Sequence, residues 1–596
     1  MSRVILLFLF VFLAGSIRGQ ESKLAQQYFK DGEYEKAAEL YNKLYEKNNK
    51  NDYYFKYYFN SLINLGDYDS AEKAIKSAIR DRSKDYYLLA RYGGLLEKKY
   101  ENEKAEDLYK KSIKKLDENR NQIIQLANAF QELAKYDYAL EVYEKGTDLL
   151  KDESVFAANL ASLYMRTGDQ KNMIKYYLIY GSRGENTYKY IKQVIQKQLS
   201  DSLAFELRNQ LYAKIQEEPE QFMYVDLLAW VFVQEKNYAG ALRQLISLDK
   251  RLAEDGRRVF ELAGIAEKDK DFETAIKALE YLTEEKSINS PFYLDAKRMW
   301  LTSLRNKLNT SVELPREELL KIQTGYKETL KELGKNNQTA LLSHDFAEFE
   351  AFYMNDLSSA IGILSEMVER TGLNDRLKAK AKLSLGDYYL MTGEIWEGSL
   401  LYSQVDKDFQ EGFLGELARF KNARLSYFNG DFEWSKIQLD VLKASTSKLI
   451  SNDAIDLAVF ISENIGLDTT TIPLQMYASA ELSALQNKYD EAFLTLDSIA
   501  LIYPDHELED DIWYLKANIY SNQKDFEKAV GFYQKVIDKH ADDIRGDNAM
   551  YELAQLYENV LNQKEKAIAI YETIFIDFSN STFAIEARKR YRVLTE

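Results

Sequence analysis

Residues 52–85 read DYYFKYYFNSLINLGDYDSAEKAIKSAIRDRSKD, and the fold is decided by this stretch. Phe55, Tyr58, Phe59 and Leu62 fall at helical spacing, so the first half predicts a helix with one apolar stripe. Gly66-Asp67-Tyr68 breaks it, because glycine adopts the left-handed conformation that ends helices. Ala71, Ile75 and Ala78 then predict a second helix, antiparallel to the first. Ala71 is small because the two helices pass close there. Neither helix buries its stripe alone, so such hairpins must stack, with the core running along the array.

Working outward, the same alanine recurs. Ala37, Ala71, Ala105 and Ala139 stand 34 residues apart, and the register continues through Met173, a poorly matching slot at Leu207, Ala241 and Ala275. A fixed period of this length marks a helical repeat array. Ser200–Glu218 is read as a worn repeat that still packs. Beyond Ala275 the period loosens: Ala492, Ala529 and Ala567 are 37 and 38 residues apart. Two stretches break register. Between Ala275 and Ala360, Pro291 and Pro315 sit at expected helix starts and Asn306–Leu314 reads as a loop. Ser445–Pro473 holds a helix from about Asn452 to Asn464 and a loop at Thr469–Pro473. Phe583–Leu594, with Arg588, Lys589 and Arg590, predicts a basic amphipathic helix that caps the array.

These positions resemble the tetratricopeptide repeat. The third repeat carries Leu89, Tyr92, Gly93 and Leu96, then Ala105, Tyr109 and Ser112; the fourth carries Ile123, Leu126, Ala127 and Phe130, then Ala139, Tyr143 and Gly146. Later matches include Leu385, Gly386, Tyr389 and Tyr402, and Trp513, Ala517, Tyr520, Ala529 and Tyr533. The resemblance covers most of the chain. It implies an all-α fold, a right-handed superhelical α-solenoid of stacked helical hairpins. The expected division is a signal peptide at 1–19, a first array at 20–285, an irregular helical hairpin and linker at 286–340, and a second array with capping helix at 341–596.

Bulk properties agree with a nearly all-helical protein. The 596 residues, 46% apolar, are too many for one compact core, and only 5 prolines interrupt them. Arg3 followed by the apolar run Val4–Leu13 fits a secretory signal peptide, too short for the roughly 20 residues that span a bilayer. Cleavage after Gly19 leaves Gln20 leading; cleavage after Ser16 is the alternative. No other stretch is apolar enough to cross a membrane, so the cleaved chain is expected not to be an integral membrane protein. There is no cysteine, which excludes thiol chemistry, disulfides and a lipid-modified N-terminal cysteine. A formal charge of −16 with no basic stripe argues against nucleic acid.

Chemistry is hard to find. His344, His506 and His540 lie in different repeats, with no pair at metal-ligand spacing. No nucleophile elbow, phosphate-cradling glycine loop or calcium-loop pattern occurs, and Gly181-Ser182-Arg183-Gly184 reads as a turn. No catalytic residue, metal or cofactor is therefore expected. Paired carboxylates at helical spacing arise by chance in so acidic a chain.

Among the 44 tyrosines, Tyr28, Tyr164, Tyr389, Tyr520 and Tyr557 fill the aromatic slot of the first helix, and two further groups stand out. Tyr41, Tyr109, Tyr143, Tyr177, Tyr402, Tyr533 and Tyr571 fill the aromatic slot of the second helix and are expected to pack. Tyr53, Tyr54, Tyr57 and Tyr87 are not required by the repeat. In the tetratricopeptide family one face of each first helix lines a concave groove. Here that face carries Tyr53, Lys56 and Asn60, then Tyr87 with Arg91 beside it, then Asn121, Ile124 and Asn128. Amides bond peptide backbone, and tyrosines give contact area at low entropy cost. Tyr53, Lys56, Asn60, Tyr87, Arg91 and Asn128 are thus the expected partner-binding residues. Lys56 and Asn60 also match the first pair of a clamp with which some relatives hold a C-terminal carboxylate. Arg91, Asn121 and Gln125 depart from the rest of that pattern.

The reading is a non-enzymatic scaffold for protein partners in the bacterial cell envelope, binding an extended peptide or a partner helix. The junction Ile17-Arg18-Gly19-Gln20 resembles signal sites of Bacteroidota, and the segment from Asp505 resembles repeats of periplasmic and outer-membrane assembly proteins. Phe578-Ser579-Asn580-Ser581 resembles their recurrent repeat junction but lacks its usual proline. Export to the periplasm or envelope is expected, with a role in secretion, surface assembly or envelope maintenance. One rival is an enzyme or carbohydrate-handling protein with its site at 287–337; another is a lumenal adaptor, with Asn309, Asn337 and Asn580 in glycosylation sequons.

Overall fold

The computed structural model describes residues 21–595, apart from 287, 311–313, 411, 444–446, 466–469 and 505. The expected signal peptide lies outside the described residues. Every regular element described is a helix, and the helices pair as consecutive antiparallel hairpins, giving an all-α repeat solenoid. Contacts divide the chain into two compact units, one ending at Glu254 and one beginning at Asp255.

The turn inside each hairpin explains the period. Asn51 caps helix Asp52–Leu65, its Oδ1 accepting from the Tyr54 N–H at 3.3 Å. Gly66 ends that helix in the left-handed conformation, φ 75°, and the Asp67 N–H closes onto the Leu62 carbonyl at 3.0 Å. Asp67 then caps helix Tyr68–Asp81 by accepting from the Ser70 N–H at 3.1 Å. The left-handed residue recurs in the first unit at Gly32, Gly66, Tyr100, Ala134, Gly168 and Lys236, at steps of 34 with one step skipped. Five positions on stand Ala37, Ala71, Ala105, Ala139, Met173 and Ala241, all buried. In the second unit the left-handed residues include Lys270, Asn355, Gly393, Gly430, Asn487, Lys524 and Asn562. Small buried residues again follow each of them: Ala275, Ala360, Gly398, Ser435, Ala492, Ala529 and Ala567.

Close approach is visible where the two helices cross. A side chain at Gly386 would meet the Tyr402 ring at 2.5 Å, and one at Gly93 would overlap Tyr109. The slot tyrosines Tyr41, Tyr109, Tyr143, Tyr177, Tyr402, Tyr533 and Tyr571 are all buried. Several carry a reason to be tyrosine rather than phenylalanine. The Tyr402 hydroxyl donates to Asp387 at 2.6 Å, Tyr533 to Asn518 at 2.5 Å and Tyr571 to Glu558 at 2.8 Å, each on the preceding helix. Hairpins are thereby tied by packing and by a polar bond at the end of each ring.

Departures from the repeat have local causes. Leu207, too large for the alanine slot, is fully buried, and helices Glu185–Gln196 and Asp201–Glu217 pack on Gln170–Gly181 rather than on each other. The expected loop at Asn306–Leu314 starts later, because helix Tyr293–Leu308 continues while Leu301, Leu304 and Leu308 pack into a local core. Pro315 caps the next helix, Arg316–Leu333. The helix expected from about Asn452 begins at Lys448. Ile472 and Pro473 open helix Ile472–Leu485 instead of lying in a loop, since proline suits a first turn; Thr469 lies outside the described residues. Helix Ala584–Thr595 packs on Lys564–Asp577 and ends the second unit, with Arg590 bonded to Glu558. The period alone would place Arg257–Lys268 and Phe272–Glu285 in the first array. They fall in the second unit, where Phe272–Glu285 packs on Tyr293–Leu308.

Candidate partner-binding face and an acidic cavity

In the first unit, helices Asp52–Leu65, Tyr87–Lys98 and Arg120–Glu132 bring the expected binding residues together, but not as one free surface. Tyr53 is 40% exposed, Asn60 half-buried and Asn128 exposed. Tyr87 and Arg91, expected at the surface, are instead 3% and 9% exposed. The Tyr87 hydroxyl donates to Asp52, Arg91 reaches Asp52 at 3.5 Å and Glu132 at 3.6 Å, and its guanidinium lies 5.0 Å from the Tyr87 ring centre. Lys56 bonds Glu132 at 2.5 Å. Burial of Ala90 and of Gly94 against Leu133 completes a closed floor. Arg82 also reaches Asp52 at 3.6 Å and Asp85 at 3.7 Å, so three cations meet three carboxylates there and the floor is neutral. A C-terminal carboxylate would have to displace Asp52 and Glu132 to reach Lys56 or Arg91. Tyr54 and Tyr57 cover Tyr41, with Tyr57 stacked on it at 5.2 Å. What stands free is a rim of tyrosine and amides.

The helix that follows the irregular stretch holds one grouping the sequence did not single out. On helix Ala340–Phe352, His344, Asp345 and Glu348 offer ligand atoms within 4.8 Å of one another. Each is committed elsewhere: His344 Nε2 to the Ser384 hydroxyl at 3.1 Å, Asp345 to Arg298 at 2.5 Å and Glu348 to Arg305 at 3.7 Å. Burial holds the His344 imidazole below its ordinary pKa, neighbouring Glu348 and Asp345 opposing this. The group would bind a cation only by breaking both arginine pairs. The two arginines fill the role of counter-ions already.

The second unit contains a cavity of about 710 Å³ with mostly acidic walls. The end of helix Lys448–Ile465 supplies Glu463 and Asn464. The start of Glu509–Asn522 supplies Glu509, Asp510 and Asp511. Asp542 and Asp543 come from the turn after Phe526–His540. Asp510 and Asp511 are each 5% exposed. Asp511 accepts from Arg545 Nε at 2.6 Å, and that guanidinium lies 5.2 Å from the Phe460 ring and 5.3 Å from Tyr514. Burial pushes the Asp511 carboxyl up to about 7 against the opposing charge of Arg545, and burial raises Asp510 as well. Glu463 is raised by burial and by the charges of Glu507, Asp510 and Asp543. His540 sits 2.7 Å from Asp543 and 3.2 Å from Glu509; burial disfavours its charge, but these hydrogen bonds prevail and raise its pKa. Asn464, 6% exposed, donates to the Phe460 carbonyl at 3.0 Å, while its Oδ1 accepts from nothing in the protein. The sequence signal was present in the acidic runs Glu507–Asp511 and Asp542–Asp543, at successive repeat junctions.

Tetratricopeptide repeat families match residues 59–120, 510–538 and 548–581. The chain carries tetratricopeptide repeats. No curated protein sequence shows similarity to it. Among solved structures, a tetratricopeptide repeat protein from Parabacteroides merdae ATCC 43184 aligns at 12% identity and TM-score 0.29, over 50% of this chain and 97% of that one. Naa15/Naa10 bound to HypK-THB aligns at 13% identity and TM-score 0.26, over 97% and 96% of the respective chains. The Cut9–Hcn1 hetero-tetramer of the APC/C aligns at 13% identity and TM-score 0.21, over 98% of each. Among the described residues no helix is long and apolar enough to cross a membrane.

Proposed function

We propose that the chain is a non-enzymatic scaffold whose first unit holds a protein partner, as an extended segment or a helix, along helices Asp52–Leu65, Tyr87–Lys98 and Arg120–Glu132. Tetratricopeptide repeats suggest such a scaffold. The observation that carries the particular face is the division between its floor and its rim. Lys56, Arg82 and Arg91 are matched by Asp52, Asp85 and Glu132, while Tyr53, Asn60 and Asn128 keep exposed or half-exposed side chains at the rim. Recognition there rests on amide hydrogen bonds and aromatic contact, both suited to a peptide backbone. Tyr87 and Arg91 act by holding the floor rigid beneath the contact.

We further propose that the protein is exported and works in the bacterial envelope, in secretion, surface assembly or envelope maintenance. Arg3 with the apolar run Val4–Leu13 supports export. N-terminal sequencing of the protein recovered from cells should then begin at Gln20; an intact Met1 would contradict export by this route. The binding face is tested by Tyr53→Ala/Asn60→Ala/Asn128→Ala, which spares the floor. Partner capture should fall at least tenfold with the melting temperature within about 2 °C of the parent. Undiminished capture would place the binding surface elsewhere.

A further inference from the structure

The acidic cavity of the second unit is a poor choice for stability. Helix Glu509–Asn522 gains from acids in its first turn, which accounts for Glu509, Asp510 and Asp511 taken alone. It does not account for Glu463, arriving from another helix, or Asp542 and Asp543, arriving from a third segment. Among the described residues, no lysine or arginine pairs with Glu463, Glu507, Asp510 or Asp542, and Arg545 is already held by Asp511. Like charges gathered in a partly buried space repel and lose hydration, so this arrangement costs stability until a cation arrives.

A second observation points to a ligand. Asn464 is 6% exposed and lines the cavity, yet its Oδ1 accepts no hydrogen bond from the protein. A buried carbonyl without a donor is uncommon in folded proteins, and here it faces a space edged by carboxylates. The space therefore offers a neutral acceptor beside anionic ones, the complement of a group with several N–H donors and a positive charge.

Geometry selects among cations. Among the described residues, His344, Asp345 and Glu348 form the one set of three ligand atoms within 4.8 Å, and none of these lines the cavity. The cavity carboxylates are too dispersed to coordinate one metal ion, which requires its oxygen ligands about 2.3–2.6 Å from a common centre. They are dispersed in a useful way. An adjoining cavity of about 450 Å³ shares Asp542, Asp543 and Ile544 with the first and adds Asp456, Asp547 and Asp577. Successive basic side chains of one segment would each find a carboxylate along this run, with a guanidinium or ammonium at Asp510 and Asn464.

We infer that the second unit binds a lysine- or arginine-rich segment of a protein partner in this pair of cavities, with Asp510 and the Asn464 carbonyl holding its deepest side chain. This site is separate from the face proposed on the first unit, and either can be lost without the other. The test uses the full chain and a fluorescein-labelled hexalysine amide, read by anisotropy at 0.1 M NaCl. Glu463→Gln/Asp510→Asn should weaken binding at least tenfold. Asp490→Asn/Glu491→Gln, which removes the same charge from an exposed helix start of the same unit, should change it less than twofold. Glu463→Gln/Glu507→Gln alters exposed side chains alone and should weaken binding at least threefold with the melting temperature unchanged or raised, never lowered. Equal weakening by the control pair would reduce the effect to general electrostatics and overturn the inference. So would spermine binding as tightly as hexalysine, or calcium binding that the Glu463→Gln/Asp510→Asn variant abolishes while hexalysine binding persists.

Discussion

Two tyrosines of the same hairpin should respond in opposite ways to loss of a hydroxyl. Tyr402 and Tyr388 are each 1% exposed. The Tyr402 hydroxyl donates to Asp387 at 2.6 Å, whereas the Tyr388 hydroxyl is buried with no partner. A hydrogen bond to a charged group contributes about 1.5–3 kcal/mol. Lys421 also bonds Asp387, at 2.8 and 2.9 Å, and remains after the substitution, so Tyr402→Phe should cost about 1.5–2 kcal/mol, the lower part of that range. Tyr388→Phe removes a hydroxyl whose unpaired burial costs about 1–3 kcal/mol, so it should be neutral or stabilise by up to about 1 kcal/mol. The contrast is about 1.5–3 kcal/mol between substitutions of identical chemistry, or roughly 10- to 150-fold in a local opening equilibrium. Native-state hydrogen exchange over Asp375–Asp408 reads it directly, which matters because a long repeat array does not unfold as one two-state body. Equal effects at the two sites would mean that the tyrosines serve only as rings, and the polar tie within the hairpin would fail.

Further outcomes follow from the same structure. Ala105→Leu overfills a fully buried helix crossing and should destabilise its hairpin by about 1–3 kcal/mol, seen as faster exchange over Tyr87–Lys114. Asp511 has a folded pKa of about 7 against an ordinary 3.8, so its protonated form is favoured by folding. Its contribution is fully present below about pH 4 and is lost as pH rises through about 7. Urea melts of the second unit's signal should therefore show greater stability at pH 5 than at pH 8, and Asp511→Asn should flatten the difference. Glu72 behaves oppositely: hydrogen bonds from Lys76, Lys99 and Tyr92 depress its carboxyl to about 2. The stability it adds is present above about pH 4.5 and is lost toward pH 2, and Glu72→Gln should remove that acid-labile component around helices Tyr68–Asp81 and Tyr87–Lys98.

Much of the fold was legible in the alanines and the slot tyrosines, because close helix crossing and ring burial restrict residue type at fixed spacing. The turns were less so. Tyr100, Ala134, Lys236 and Lys270 adopt the same left-handed conformation as Gly66, so the turn is imposed by packing where no glycine announces it. The break at Glu254 was hidden because the alanine register runs on from Ala241 to Ala275 across it. Tyr87 and Arg91 share the spacing of a surface face, yet Asp52 and Glu132, on flanking helices, draw them into the floor. Sequence spacing gives the face of one helix but not the neighbours that close over it. The acidic cavity was missed for a related reason. In a chain with 95 acidic residues, Glu463, Asp510 and Asp543 carry no individual signal until three segments place them around one space.

The claim at the centre of this account is that a partner lies along the rim of the first unit's floor. Site-specific photocrosslinking in the producing cells tests it, with a benzophenone amino acid placed singly at Tyr53, at Asn128 or at Tyr100. Tyr100 is 91% exposed in a hairpin turn and serves as the control. Positions 53 and 128 should crosslink the same protein, and position 100 should not. Crosslinking of that protein from position 100 alone, or of unrelated proteins from 53 and 128, would contradict it.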